Sequence, residues 1–325
     1  MRNIGKISET VLERSVIKPE KQYKVNSKGA STQLDCAFFS DKSVATGYVA
    51  VRDSRACEHA IIQACNNLMA GGSIPRSIIL CISMPDTYRE IKLKEIIRQA
   101  CVTASDLHIT ISGGHTEFVK GLMEPIINVT AFGDADEKYR TRSDRELKPC
   151  DCDIVMTKWM ALSGTSLLAT EKRSELLSRL PAYYVEDAAG LGAFVSVAAE
   201  ASLAVKDEHT IAMHDVAGGG LYAALWELCS HMKVGCRIEQ KDIPIRQETI
   251  EVCEFFDINP YRLRGDGSLL IVTSDGDSLV KTLIDNGVLA TIIGRTTECI
   301  DRVILRDDET RFLESVNTDE LYSVL

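Results

Sequence analysis

Apolar residues follow two spacings along this chain, one typical of helices and one typical of buried strands. From Asp53 to Gly72 they recur with helical spacing, and the closing glycines with Pro75 are stop signals for a helix. Residues 77–84, SIILCISM, form a short continuous apolar run that predicts a buried strand. The pattern continues with one amphipathic helix and two more strands, over 90–105, 107–112 and 126–133. Strands that alternate with helices predict an α/β domain.

A polar segment separates this domain from a second series of elements. Residues 136–151, DEKYRTRSDRELKPCD, are almost wholly polar and contain Pro149, which predicts a domain boundary. The second series has strands over 152–158, 210–214, 236–239, 269–272 and 289–294, and helices over 167–180, 187–205 and 221–232. We therefore predict a mixed α/β (α+β) fold with an N-terminal arm (1–30), an N-terminal domain (31–145) and a C-terminal domain (146–325).

Charge and length narrow the function classes. The 325 residues include 47 acidic against 37 basic side chains, a net charge of −10, which argues against a nucleic-acid partner held through its phosphates. No apolar run is long enough for a membrane helix, and the polar N-terminus does not resemble a signal peptide, so we expect a cytoplasmic protein without a membrane partner. The first thirty residues are locally basic; a solvated surface segment is the simpler explanation, and a phosphate-facing arm with Lys6 is the alternative.

The 11 cysteines are irregularly spaced, and several fall in apolar periodic segments, as do Cys65, Cys101 and Cys229. A free thiol in such a place behaves as a small hydrophobic side chain, so we predict reduced core cysteines. Cys150 and Cys152 have one residue between them and no matching second pair, which is a poor zinc pattern.

Two glycine segments carry the candidate chemistry. In ISGGHTEF and in MHDVAGGGL a strand is predicted to end, glycines follow, and a histidine and a carboxylate lie beside them. Glycine lets a ligand approach the main chain, and N–H groups at a helix start suit an anion such as phosphate. Each segment singly is as well explained by backbone geometry. The residues concerned are Gly113, Gly114, His115, Thr116 and Glu117 in the first, and His214, Asp215, Gly218, Gly219 and Gly220 in the second.

Together with other motifs, these segments make the sequence resemble the AIR synthase-like superfamily of ATP-binding enzymes, and within it the branch similar to the hydrogenase maturation factor HypE. The resemblance rests on motifs that occur in family order from residue 5 to about residue 294. They are GKI (5–7), LDCA (34–37), NNLMAGGSIP (66–75), GGHTE (113–117), TKWMALSGTSLLA (157–169), MHDVAGGGL (213–221) and RGDGSLLI (264–271).

The resemblance implies two α/β domains, an N-terminal domain that pairs across a homodimer, and ATP with Mg²⁺ held by acids and glycine turns. It implies Asp35, Asp215 and Glu117 as metal ligands and His115 and His214 as proton-transfer groups. It further implies nucleotide contacts from Lys6, Asn67, Gly113, Gly114, Thr116 and Gly218 to Gly220.

Two family acids are absent, because Gly47 and Asn67 stand where the family has aspartates. The C-terminal cysteine that carries the carbamoyl group in the HypE reaction is also absent, since the chain ends NTDELYSVL and its last cysteine is Cys299. Carbamoyl dehydration of that type is therefore not expected.

Three functions remain open. The first is an enzyme that uses ATP to phosphorylate a small amide, carboxylate or similar nucleophile. The second is a nucleotide-binding regulatory or assembly protein with weakened catalysis, which the residues at 47 and 67 favour. The third is a dimeric maturation scaffold that binds a partner protein, for which the acidic segment 306–325 is the candidate contact unless it is only a charged surface strand.

Overall fold

A computed structural model describes residues 7, 9–23, 36–143, 150–307, 309–316 and 318–325. The described residues fall into two compact units, one within Asp35–Asp136 and one within Glu137–Val324. The second unit also includes a helical N-terminal segment of two short helices joined by a π-helical turn: α1 Glu9–Leu12 and α2 Lys18–Gln22.

The first unit is a five-stranded sheet with two helices. Its elements are β1 Ala37–Phe39, β2 Lys42–Val49, α3 Ala56–Ala70, β3 Ser73–Pro85, α4 Glu90–Asp106, β4 Thr110–Val119 and β5 Ile126–Ala135. The strand order is β1-β2-β5-β3-β4, antiparallel throughout except for the parallel pair β3–β4. The predicted helices at 53–72 and 90–105 are confirmed to within a few residues at each end.

One face of this sheet is buried and the other is open. Ala45, Val129 and Leu80 belong to the buried face, on which α3 packs. The opposite face exposes Tyr48, to 52%, and the imidazole of His115. We call this second surface the open sheet face.

The predicted glycine turn at 113–117 is wrong, because these residues are the interior of a strand. The parallel partner β3 continues beside them, with Cys81 opposite His115 and Ser83 opposite Glu117, so the hydrogen-bonded ladder keeps the segment extended. A Cβ on Gly114 would lie 1.9 Å from the carbonyl oxygen of Leu80. The absence of a side chain at Gly114 therefore allows β3 and β4 to approach closely, next to the register shift between Ile78 and Ile79.

The second unit contains a seven-stranded sheet in the order β12-β11-β8-β10-β6-β9-β7. Its strands are β6 Asp153–Thr157, β7 Thr210–Asp215, β8 Gly235–Glu239, β9 Leu269–Thr273, β10 Ala290–Thr297, β11 Arg302–Arg306 and β12 Glu309–Phe312. Its helices are α5 Glu137–Ser143, α6 Leu162–Glu171, α7 Arg173–Leu176, α8 Ala182–Gly190, α9 Ala198–Lys206, α10 Gly220–Met232, α11 Gln247–Phe256 and α12 Gly276–Asp285. Every residue of β6 and β9 is buried, as expected of central strands.

The single helix predicted over 187–205 is wrong. The chain forms α8, a 3₁₀ turn at Leu191–Phe194, and then α9. Lys158 supplies the physical reason, because its Nζ donates to the carbonyl oxygens of Phe194 at 3.0 Å and Ser196 at 2.6 Å. Those carbonyls bind an ammonium group instead of continuing a helical ladder. The helix predicted over 167–180 likewise begins earlier, at Leu162, and is divided into α6 and α7.

All 11 cysteines are free thiols. Cys65 and Cys229 are fully buried as predicted, but Cys101 is exposed, because it lies on the outer side of α4. No single described helix has the length and apolar composition to cross a membrane, although the bent pair Ala182–Phe194 and Ala198–Lys206 passes that test when taken together.

Candidate functional site

The second predicted glycine segment does join a strand to a helix. Strand β7 ends at Asp215, residues 216–219 form a loop that we call the glycine loop, and α10 begins at Gly220. Because β7 pairs with the buried strand β9, with Asp215 opposite Leu269, its end lies inside the unit. Asp215 is 1% exposed and His214 is 5% exposed.

The imidazole of His214 is held between two oxygens. Its Nδ1 lies 2.8 Å from the carbonyl oxygen of Asp215, and its Nε2 lies 3.5 Å from Oε2 of Glu227 on α10. This histidine is buried, and the contact of its Nδ1 with the main chain fixes the geometry of the strand end. It is poorly placed to exchange protons with a substrate.

The three glycines of MHDVAGGG have different roles. Gly219 and Gly220 adopt φ of +85° and +68°, and a Cβ on Gly220 would lie 2.6 Å from the carbonyl oxygen of Leu263. These two are required by backbone conformation and packing. A Cβ on Gly218 would meet nothing nearer than a carboxylate oxygen of Asp319 at 4.0 Å. Gly218 is therefore the position where a ligand can approach the main chain.

A second loop, RGDGS at 264–268, lies directly beside the glycine loop. The Val216 amide donates to the carbonyl oxygen of Ser268 at 2.9 Å, and the Gly265 amide donates to that of Ala217 at 3.3 Å. The side chain of Arg264 donates to both carboxylate oxygens of Asp266, at 2.8 and 3.1 Å. The two motifs thus form one hydrogen-bonded structure.

Ser163, at the start of α6, extends this network. Its hydroxyl donates to Oδ2 of Asp266 at 2.5 Å and accepts from the Asp266 amide at 3.0 Å. The Gly164 amide donates to the carbonyl oxygen of Arg264 at 3.0 Å. The motifs at 157–169, 213–221 and 264–271, which are far apart in the sequence, therefore meet at one end of the sheet.

Sequence reasoning missed Asp319. The segment 306–325 was predicted to be a partner contact or a charged surface strand, yet Asp319 within it is 6% exposed. Its carboxylate accepts from the amides of Gly219 at 2.7 Å, Leu321 at 2.9 Å and Arg264 at 3.3 Å. Burial raises the pKa of Asp319, and the Gly219 amide bond opposes that shift. The one local signal was its position before a short turn, where aspartate is a common cap.

Lys158 was also missed as a functional element of the motif TKWMALSGTS. Its ammonium group lies 2.8 Å from Oε1 of Glu200 and donates to the carbonyl oxygen of Gly267 at 2.7 Å, besides those of Phe194 and Ser196. Burial lowers the pKa of Lys158, and the Glu200 carboxylate opposes that shift. Since the N–H groups of its ammonium are directed to main-chain carbonyl oxygens and to the Glu200 carboxylate, Lys158 holds the loop 264–268 to α9 and does not offer a cation to a ligand.

The first unit carries the other predicted residues. His115 and Glu117 lie on the open sheet face with 3.6 Å between Nε2 and Oε2, and their side chains are 70% and 54% exposed. Thr116 and Gly114 alternate with them along the exposed edge strand β4. Gly113 has open space where a Cβ would be, so its conformation does not require glycine.

The positions where the family has aspartates meet in the structure. Asn67 on α3 donates from Nδ2 to the carbonyl oxygen of Thr46 on β2 at 3.0 Å. A Cβ on Gly47 would lie 2.0 Å from the carbonyl oxygen of Ala60, so this close approach of strand and helix excludes any side chain there. Position 47 cannot supply a metal ligand without movement of α3.

Lys6 and Asp35 lie outside the described residues. Within the described part of the chain, no three histidine, cysteine, aspartate or glutamate side chains are grouped so that they could hold a metal ion. Asp215 and Glu117 do not by themselves make a Mg²⁺ site, and we derive no chemical step through a metal.

Family models match most of the chain. The model described as the N-terminal domain of AIR synthase related proteins matches residues 28–135, and that for the C-terminal domain matches residues 152–305. The chain belongs to the AIR synthase-related family. This confirms both the resemblance found in the sequence and the predicted fold with two α/β domains.

The most similar members of the AIR synthase-related family include hydrogenase maturation proteins. Carbamoyl dehydratase HypE of Rhizobium leguminosarum bv. viciae is 24% identical over 235 residues, which are 70% of this chain and 64% of that protein. The match thus spans less than two thirds of that relative.

Two solved structures share the fold over nearly the whole chain. The HypE–HypF complex gives a TM-score of 0.74 at 16% identity, and covers 92% of this chain and 99% of the matched one. HypE in complex with ATP gives a TM-score of 0.71 at 14% identity, and covers 98% of both chains.

Proposed function

We propose that this protein binds ATP and uses it to phosphorylate a small amide, carboxylate or similar nucleophile. The observation that carries the proposal is the junction of β7, the glycine loop and α10. There a buried acid, Asp215, is followed by a main chain that is open at Gly218 and by a helix N-terminus. The helix dipole and free amides at such a terminus favour a phosphate group. The ATP complex of HypE, which has the same fold, supports the choice of nucleotide.

In this reaction an oxygen of the substrate bonds to the γ-phosphorus while the bond from that phosphorus to the bridging oxygen of ADP breaks. A carboxylate attacks with no proton to lose, whereas an amide that attacks through its oxygen passes its N–H proton to a base. Of the two proposed bases, His115 has an exposed imidazole, whereas that of His214 is buried and has its Nδ1 2.8 Å from the carbonyl oxygen of Asp215. Mg²⁺ would arrive with ATP, whose phosphates supply much of its oxygen coordination, and Asp215 would supply a carboxylate at the end of β7, next to the glycine loop.

Calorimetric titration with Mg·ATP tests the proposal. We expect a dissociation constant below the millimolar range for the wild type. Asp215→Asn should bind at least about tenfold more weakly, a loss of about 1.4 kcal/mol in the free energy of binding. Asp277→Asn, an exposed aspartate in the first turn of α12, is the matched control and should bind like the wild type. Absence of binding at millimolar Mg·ATP would contradict the proposed function.

A second candidate function is nucleotide binding without turnover, in a regulatory or assembly role. The steric exclusion of any side chain at Gly47 favours this second function, because no carboxylate at this position can take the place of the aspartate that the family has there. Measurement of ADP release over hours at saturating Mg·ATP separates the two functions. If the wild type releases ADP and His115→Ala releases less, the protein is an enzyme. If the ATP remains intact, the second candidate function is supported.

We further propose that a second copy of the chain packs on the open sheet face around Tyr48 in a homodimer, and that a partner protein binds the assembled protein, as HypF binds HypE. The exposed side chain of Tyr48 on this face supports the first part. Sedimentation analysis should show a dimer for the wild type and a monomer for Tyr48→Lys. Ile91→Lys, at an exposed position on α4, should remain dimeric.

A further inference from the structure

We propose that residues 313–316 and 318–323 form an autoinhibitory latch, whose Asp319 carboxylate occupies the anion position of the glycine loop and must be displaced by an incoming phosphate group. We call these residues the tail. The inference rests on the proposed function, since the competitor of the carboxylate is the phosphate of a bound nucleotide.

Three contacts place the tail directly on the loop. Oδ2 of Asp319 accepts from the Gly219 amide at 2.7 Å. The same carboxylate oxygen is the atom nearest to the open position at Gly218, at 4.0 Å. A Cβ on Gly219 would lie 3.4 Å from Cγ1 of Val316, so the tail lies against the loop at the residue that follows the open position.

Two other amides in this junction already have acceptors: the Val216 amide donates to the carbonyl oxygen of Ser268 at 2.9 Å, and the Gly220 amide donates to that of Ala217 at 3.1 Å. The Gly219 amide lies at the positive end of α10, where an anion is favoured, and the Asp319 carboxylate holds it. A phosphate oxygen at the same place would find the Gly219 amide already bonded, and the negative charge of the Asp319 carboxylate would repel it.

The tail is built to hold this contact without a covalent link. Leu313 and Leu321, on either side of Asp319, are buried in the second unit. Between these two apolar anchors, Asp319 is the charged group that bonds to both the glycine loop and the loop at 264–268. Displacement of the carboxylate costs three amide hydrogen bonds, but it returns a buried charge to water. These opposing terms suit a reversible latch.

Two variants with the same change of charge test the latch. Asp319→Asn keeps the shape of the side chain and removes the anion from the glycine loop. Glu320→Gln removes one negative charge from the adjacent residue, whose side chain makes no contact with the loop among the described hydrogen bonds. If the latch is closed for about nine-tenths of the time, its loss tightens the apparent affinity for Mg·ATP about tenfold. We therefore expect about tenfold tighter binding for Asp319→Asn, and about wild-type binding for Glu320→Gln.

Hydrogen exchange of the wild-type protein gives an independent readout that needs no variant. Saturating Mg·ATP should increase exchange of the amides over 318–323, because the tail leaves the loop, while α10 becomes more protected. Faster exchange of the tail on binding supports the latch. Slower exchange would mean that ATP clamps the tail down, and would overturn it.

The outcomes separate this proposal from the one on which it rests. If the wild type binds Mg·ATP but Asp319→Asn binds no more tightly than Glu320→Gln, the latch is refuted and the proposed function stands. If neither the wild type nor Asp319→Asn binds Mg·ATP, the proposed function fails and the latch fails with it.

Discussion

Replacement of Lys158 by methionine should destabilise the protein by about 3–5 kcal/mol, because it removes one partner of a buried ion pair. The Lys158 side chain is 11% exposed and that of Glu200 is 1% exposed, with 2.8 Å between the charged atoms. Methionine fills nearly the same volume, so loss of packing adds little. The uncompensated Glu200 carboxylate and the carbonyl oxygens of Phe194, Ser196 and Gly267 account for the cost.

A double-mutant cycle makes the reasoning testable. Glu200→Gln alone should also destabilise the protein, because the Lys158 ammonium then lacks a buried counter-charge. The double variant should lose less than the sum of the two single variants, by at least about 1 kcal/mol, because the two groups are in contact. Lys172→Met is the matched control: its partner Glu175 is 54% exposed, and exposed pairs contribute about 0–1 kcal/mol.

Urea unfolding followed by circular dichroism gives the free energies of unfolding for this cycle. A change in the free energy of unfolding for Lys158→Met that is no larger than that for Lys172→Met would show that the buried ion pair does not stabilise the protein. Additive effects at 158 and 200 would show the same.

Three further predictions follow from the two units. Gly220→Ala should cost at least about 2 kcal/mol in urea unfolding, because φ is +68° and the new Cβ would meet backbone carbonyl groups. Gly218→Ala, its control, should stay within about 0.5 kcal/mol of the wild type, and equal effects at the two sites would contradict the packing argument. His115→Ala should lower the rate of ADP release with an unchanged dissociation constant for Mg·ATP, and weaker binding with an unchanged rate would refute its role as the base. The Arg246 guanidinium lowers the pKa of Glu248 below 4.5, so the stability due to this pair is present above pH 4.5 and is lost as the pH falls through the lowered pKa. The difference in free energy of unfolding between the wild type and Glu248→Gln should therefore shrink below pH 4.5, and a difference that does not vary with pH would contradict the assignment.

Local sequence patterns predicted those helices whose position is set by their own residues. Helices α3, α4 and α10 have apolar stripes and clear stop or start residues, and their positions agree with the sequence analysis. The segment at 113–117 was mistaken for a turn because two glycines followed by polar residues are typical of one. The neighbouring strand β3 overrides that preference, since it supplies partners for an extended backbone.

The sequence by itself determined the two α/β domains, the family and the position of MHDVAGGG between a strand and a helix, because each of these depends on residue order and local periodicity. The tertiary structure decided the contacts of that segment. It buried His214 with its Nδ1 against the main chain, separated the structural glycines at 219 and 220 from the open one at 218, and brought Asp319 from about a hundred residues away onto the Gly219 amide. Hydrogen bonds between distant segments leave no periodic trace in a sequence, so only the folded chain reveals which donors are taken and which side chains are buried.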